Sequence, residues 1–433
     1  MDRFVIAGGR PLAGTLDVNG SKNAALPQMA ASLLTDQPLQ LAGVPDLSDI
    51  NNMRRLLQEL GCDINTTDGV TSIHATDASA SHARYDIVKT MRASICTLGP
   101  MLASRGEARI SMPGGCAIGD RPVDLHLRGL EALGARISFE AGDIIARAPK
   151  GGLRGGTVFL GGPFGSTVLG TANVMSAAAL ADGTTIIESA ACEPEIVDLA
   201  KLLTAMGAQI HGAGSPRLVI EGVDSLSGAE HRVMADRIEA GTFIALAAIT
   251  RSELTLTNCP LDALMAFTDR LARAGVSIRR VRDGEPGSDP LAATCTVVAP
   301  ERPEPVEVTT QPHPGFPTDL QAQTMALLSL ASGHSVVTER IFPERFLHVA
   351  ELGRMGARIF RQGPTAIVSG VERLRGAPVM ASDLRASACL VLAALAAEGE
   401  TTISRVYHLD RGYERLEERL APLGAEIRRE AGD

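Results

Sequence analysis

Aromatic side chains are nearly missing from this chain: it has no tryptophan, 3 tyrosines and 3% aromatic residues among 433. That argues against stacking of bases on aromatic faces as a mode of binding. Positive charge is also short, with 41 Lys and Arg against 50 Asp and Glu, a net charge of -9 and a pI near 5.6. That balance counts against a nucleic-acid partner, which requires a basic face, without forbidding a local basic pocket. The 7 cysteines, at 62, 96, 116, 192, 259, 295 and 389, include no C-x-x-C pair, so a reducing cytoplasm is expected. Long apolar runs are absent too. The longest, residues 386–397, is too short to cross a bilayer and reads as a buried helix, so no membrane partner is expected. Residues 1–9 reach polar and turn residues too soon for a signal peptide. The 9 histidines show no HExxH or comparable spacing, and neither a metal nor another cofactor is expected.

What the chain does have is repetition. One phrase occurs six times: LQELGCDI at 57–64, LEALGARI at 130–137, LTAMGAQI at 203–210, LARAGVSI at 271–278, LGRMGARI at 352–359 and LAPLGAEI at 420–427. In each, apolar residues at helical spacing end on a glycine that suits the left-handed residue after a helix, and an alternating strand follows. The glycines are 68 to 81 residues apart, and β-branched strands such as 183–187, 335–338 and 401–403 precede the helices. The repeat predicts an α/β protein of six units, three in each of two domains, with Ala- and Leu-rich helices inside and sheets outside. The longest interval holds an insertion near 283–305, with loop composition at 283–290 that continues at 300–305.

The segments that break the repeat carry the charge. Residues 113–126, PGGCAIGDRPVDLH, put one thiol on a glycine-rich loop beside Arg121 and His126. Cations and backbone N–H groups favour a thiolate, so Cys116 is a candidate reactive thiol; its other reading is a small apolar filler in a turn. GSKNAALP at 20–27 sets Lys22 and Asn23 at a helix start, where free N–H groups meet anions. KTMRAS at 89–94, FPTD at 316–319, PERF at 343–346, SDLRAS at 382–387 and YHLDRGYE at 407–414 add Arg92, Asp319, Arg345, Asp383, Arg385 and Arg411. Gathered together, Lys22, Arg92, Arg121, Arg345, Arg385 and Arg411 would bind a ligand with several negative charges. Alternatively each arginine pairs locally, as Arg385 with Asp383 or Arg411 with Asp410.

Taken in order along nearly the whole chain, together with EPEIVDLA, ADRIEAGTF, FPTDLQAQ and YHLDRGYERLEERL, these motifs resemble the UDP-N-acetylglucosamine 1-carboxyvinyltransferase family of enolpyruvyl transferases. The resemblance implies two inverse α/β barrel domains, residues 1–21 with 235–433 and residues 22–234. It implies transfer of the enolpyruvyl group of phosphoenolpyruvate to the 3'-hydroxyl of UDP-N-acetylglucosamine, with release of phosphate, at the first committed step of peptidoglycan synthesis. Cys116 matches the family's acid, which fosfomycin alkylates, and Asp319 its proposed base. Lys22, Arg121 and Arg411 match positions that hold the phosphate of phosphoenolpyruvate. Asn23 is counted with them, and Arg345 and Arg385 hold its carboxylate end. The sugar-nucleotide contacts would be Asn23, Arg92, Arg121, Pro122, Val123, Asp124, Leu125, Thr167, Val168, Asp319 and Ile341. Asp383 would help orient the catalytic groups.

Two departures stand out. Bulky Leu169 occupies a place where the family commonly has a small residue, beside Thr167 and Val168, and Cys192 stands where an arginine is frequent. The competing expectations are a same-fold transferase with another acceptor, such as shikimate 3-phosphate or an altered sugar, and a non-catalytic sugar-nucleotide-binding paralogue.

Overall fold

The computed structural model describes residues 2–113, 123–281 and 291–431. Cys116, Arg121 and Pro122 lie outside the described residues, as do residues 283–290 of the insertion, whereas its Ala293–Val298 is a strand paired with Glu253–Cys259 and Ser277–Arg280. The chain divides into two compact units. One holds residues 2–19 and 235–431, the other residues 20–113 and 123–234.

Each unit is built from three copies of one pattern. An inner helix leads to a strand, then an amphipathic outer helix, then two more strands and a short edge strand. In the first unit the inner helices are Arg237–Ile249, Gln321–Leu328 and Leu384–Ala396, and in the second Lys22–Ala31, Leu98–Arg105 and Val168–Ala178. They are rich in alanine because they pack on one another. All 13 residues of Arg237–Ile249 are buried, which leaves no polar stripe to face water. The outer helices, such as Ser48–Glu59 and Met265–Arg273, bury a single face, with Ile50, Met53, Leu56 and Leu57 inward in the first of these.

Six four-stranded sheets are present among the described residues, and all share one topology. In the sheet of Thr157–Phe159, Thr184–Glu188, Arg217–Glu221 and Gln209–His211, the short edge strand pairs parallel and the rest antiparallel. Burial alternates along Thr184–Glu188, with Thr185 and Ile187 inward, so one sheet face closes on the helices and the other faces solvent. The N-terminal strand Arg3–Ala7 lies between Glu400–Ser404 and Glu426–Glu430, and in the other unit Glu230–Arg232 pairs with Leu39–Ala42. Each unit thus closes on itself through strands distant in sequence, around its own core.

The repeated glycine behaves as the sequence predicts. Gly61, Gly134, Gly207, Gly275, Gly356 and Gly424 all have φ between 83° and 110°. Only glycine takes this conformation without a Cβ penalty, and it turns the chain from outer helix to strand.

Candidate active site

In the second unit, Ser21 caps the helix Lys22–Ala31 by accepting from the N–H of Ala24. The cap fixes Lys22 on the first turn, where its buried ammonium donates to Asp49 Oδ2 at 3.2 Å. Asn23 follows, half-buried. Arg92 opens the 3₁₀ turn Arg92–Thr97, which packs against the helices Lys22–Ala31 and Val168–Ala178. Buried Val123 precedes the helix Asp124–Ala132, where Asp124 is exposed and Leu125 half-buried. Thr167 caps the helix Val168–Ala178 through Gly170 N at 3.2 Å, and Leu169 packs on the unit's core.

These pieces are joined by a residue the sequence did not single out. Asn173 Nδ2 meets Ile95 O at 2.8 Å and His126 Nδ1 at 2.8 Å, while its Oδ1 accepts from Gly99 N at 2.8 Å. One buried amide therefore ties together the segments that begin at Arg92, Asp124 and Val168.

The first unit carries the sharper arrangement. Asp319 sits in the 3₁₀ turn Thr318–Leu320 ahead of an inner helix. Its Oδ1 accepts from Arg345 Nη1 at 2.7 Å and its Oδ2 from Arg385 Nη2 at 3.2 Å. The arginine side chains are 7% and 5% exposed and the carboxylate 27%, so the clasp opens to solvent on the carboxylate side. Arg385 also donates to Tyr413 Oη at 3.2 Å, and that hydroxyl meets Thr242 Oγ1 at 2.8 Å. Burial works against the Arg385 charge, but Asp319, Tyr413 and Asp236 outweigh it and raise its pKa. Burial likewise raises the pKa of Tyr413, against the pull of Arg385.

Asp383 caps the helix Leu384–Ala396, accepting from Arg385 N at 3.0 Å and Ala386 N at 3.1 Å. Its side chain serves the backbone of Arg385, and the guanidinium is left to reach Asp319. The local pairing of Asp383 with the Arg385 side chain therefore gives way to a pairing across 66 residues. Asp410, the local partner considered for Arg411, instead receives Arg429 at 3.1 and 2.5 Å. Arg411 ends the 3₁₀ turn Val406–Arg411, half-buried, and together with burial it lowers the pKa of His408. Ile341 is half-buried in the turn that leads to Arg345.

A model of the EPSP synthase family (3-phosphoshikimate 1-carboxyvinyltransferase) matches residues 6–420. Full-length relatives settle the branch. The UDP-N-acetylglucosamine 1-carboxyvinyltransferase of Anaeromyxobacter sp. (strain Fw109-5) is 53% identical over 99% of this chain and 100% of its own. That of Dinoroseobacter shibae is 54% identical over 99% of each chain. The chain belongs to the UDP-N-acetylglucosamine 1-carboxyvinyltransferase family. Among solved structures, the enolpyruvyl transferase NikO from Streptomyces tendae aligns at a TM-score of 0.88 and 26% identity, covering 100% of this chain and 99% of that one. EPSP synthase from Acinetobacter baumannii aligns at 0.74 and 17% over 100% of both, a likeness of fold alone.

For a UDP-N-acetylglucosamine 1-carboxyvinyltransferase family member, the residues that motif reading missed are instructive. Asp49, Tyr413 and Asn173 contact candidate site residues or the segments that carry them, yet each reads locally as helix or turn content. Tyr413 had a signal of a kind, since it falls inside the YHLDRGYE motif. Among the described residues, no helix is long and apolar enough to cross a membrane.

Proposed function

We propose that this chain moves the enolpyruvyl group of phosphoenolpyruvate onto the 3'-hydroxyl of UDP-N-acetylglucosamine and releases phosphate, in the cytoplasm, at the first committed step of peptidoglycan synthesis. The observation that carries this reading is full-length identity of 51–54% to relatives of that name. The Arg345–Asp319–Arg385 clasp gives it chemistry: two nearly buried guanidiniums side by side match a planar carboxylate, and they hold their geometry before the ligand arrives.

The 3'-oxygen attacks C2 of phosphoenolpyruvate while C3 takes a proton, giving a tetrahedral adduct that still bears phosphate. Loss of phosphate together with a C3 proton restores the double bond. Asp319 would take the hydroxyl proton and Cys116 would serve C3, with Asp383 orienting the groups. Lys22, Asn23, Arg121 and Arg411 would hold the phosphate, and Arg345 and Arg385 the carboxylate. Asn23, Arg92, the run from Arg121 to Leu125, Thr167, Val168, Asp319 and Ile341 would hold the sugar nucleotide. The two compact units would be the two domains of the enzyme.

The test offers phosphoenolpyruvate with UDP-N-acetylglucosamine or with shikimate 3-phosphate and identifies the product by mass spectrometry. An enolpyruvyl ether on the sugar nucleotide alone is expected; a product on shikimate 3-phosphate, or on neither acceptor, overturns the reading.

A further inference from the structure

Glu339 follows the strand His334–Thr338 and is fully buried, yet no cation pairs with it among the described residues. Four donors surround its two oxygens instead. Oε1 accepts from Thr310 Oγ1 at 2.7 Å, Ile341 N at 2.8 Å and Phe342 N at 3.0 Å. Oε2 accepts from Thr318 Oγ1 at 2.9 Å. The Thr318 hydroxyl in turn accepts from Arg345 Nη1 at 3.0 Å, the same nitrogen that donates to Asp319.

The direction of this chain is fixed. A guanidinium only donates and a carboxylate only accepts, so the hydroxyl between them has a single orientation. Glu339 thus holds Arg345 from two sides. Through Thr318 it orients the guanidinium, and through Ile341 and Phe342 it shapes the turn whose Phe342 carbonyl accepts from Arg345 N at 2.9 Å. Burying a carboxylate with no cation in direct contact is expensive, and a neutral amide of the same shape is cheaper to bury. What the amide cannot supply is the final acceptor: its NH₂ group in place of Oε2 would give Thr318 two donors and no acceptor for its proton.

We propose that Glu339 and Thr318 are positioning residues, a relay that aligns Arg345 against Asp319 for the carboxylate of phosphoenolpyruvate. This rests on the function proposed above. Thr310, Ile341 and Phe342 stay served by Oε1 when only Oε2 is altered, and Asp319 keeps its second guanidinium, Arg385, so the effect falls mainly on Arg345 and the phosphoenolpyruvate carboxylate it would hold.

The test compares the full chain with Glu339→Gln, Thr318→Val, Thr318→Ser and the double variant Thr318→Val/Glu339→Gln, by steady-state kinetics in each substrate and by melting temperature. Thr318→Val and Glu339→Gln are each expected to lower kcat/KM for phosphoenolpyruvate about tenfold or more, with KM for UDP-N-acetylglucosamine changed less than about threefold. Thr318→Ser, which keeps the hydroxyl, recovers most of the loss, and the double variant is no worse than the more impaired single. Thr318→Val is close to isosteric, so it decides the matter if Glu339→Gln fails to fold. Folded variants with kcat/KM for phosphoenolpyruvate near wild type overturn the relay, as does a Thr318→Ser variant as impaired as Thr318→Val, or losses that multiply in the double variant. Absence of turnover in the wild type would instead sink the functional reading on which the relay depends.

Discussion

Removing the Asp319 carboxylate leaves two nearly buried guanidiniums facing the same space, and the cost can be worked from their geometry. Arg345 and Arg385 approach the carboxylate at 2.7 and 3.2 Å with side chains 7% and 5% exposed. Breaking a buried ion pair by deleting one partner costs about 3–5 kcal/mol, because the remaining charge is left uncompensated. Asp319 is 27% exposed, so water can enter its place and screen part of that loss. Asp319→Ala should therefore destabilise its unit by about 2–4 kcal/mol, which is about 5–15 °C in melting temperature for a unit of this size. If the two guanidiniums receive the substrate carboxylate, phosphoenolpyruvate should restore what the mutation removes. At a hundredfold excess over Kd, a ligand bound only to the folded state adds about 2.7 kcal/mol, and the gain should be larger for the variant than for wild type. Scanning calorimetry with and without phosphoenolpyruvate measures both effects. A variant that melts within 2 °C of wild type, or that gains no more from the ligand, would refute the reasoning.

Further outcomes follow from single contacts. Asn173→Leu removes three buried hydrogen bonds to Ile95, Gly99 and His126 and should cost about 2–4 kcal/mol in urea denaturation; an unchanged midpoint would contradict its role as a node. Burial holds His348 at about 4, against an ordinary 6.5, with Asp383 opposing the shift and Arg345 adding to it. Its folded pKa lies below its unfolded one, so its contribution is complete above pH 6.5 and is lost as the pH falls toward 4, by up to about 3 kcal/mol. His348→Gln should flatten the melting temperature against pH across that window, leaving the similar slope that His313 supplies. Burial raises the thiols of Cys62 to about 11 and Cys96 to about 12, and it raises those of Cys192 and Cys389. Cys259 hydrogen-bonds Cys295 and lowers the pKa of that thiol, but both side chains are fully buried and out of reach of a reagent. Fosfomycin or iodoacetamide at neutral pH should therefore mark Cys116 first, and peptide mapping that finds the adduct elsewhere would count against its assigned chemistry.

The fold was legible because its information is local and repeated. Leucines at helical spacing followed by Gly61, Gly134 or Gly207 specify helix end, left-handed turn and strand within eight residues, and six copies make the pattern hard to miss. The site was legible only as far as its motifs. Asp319, Arg345 and Arg385 were named from their short phrases, but nothing nearby reveals that the two arginines share one carboxylate 26 and 66 residues away. Local reasoning offered Asp383 to the Arg385 guanidinium, whereas the helix start claims that carboxylate for its own N–H groups. Glu339 is the clearest omission. In the phrase TERIF it reads as a solvated acid beside an arginine, and only the closing of the strand against the Thr318 turn takes it out of water.

The central claim is tested most directly by phosphate release from phosphoenolpyruvate, measured with UDP-N-acetylglucosamine present and then omitted, in wild type and in Cys116→Ser. Release that requires the sugar nucleotide and collapses in the variant is the predicted result. Release indifferent to the sugar nucleotide, or none with it, would contradict the account.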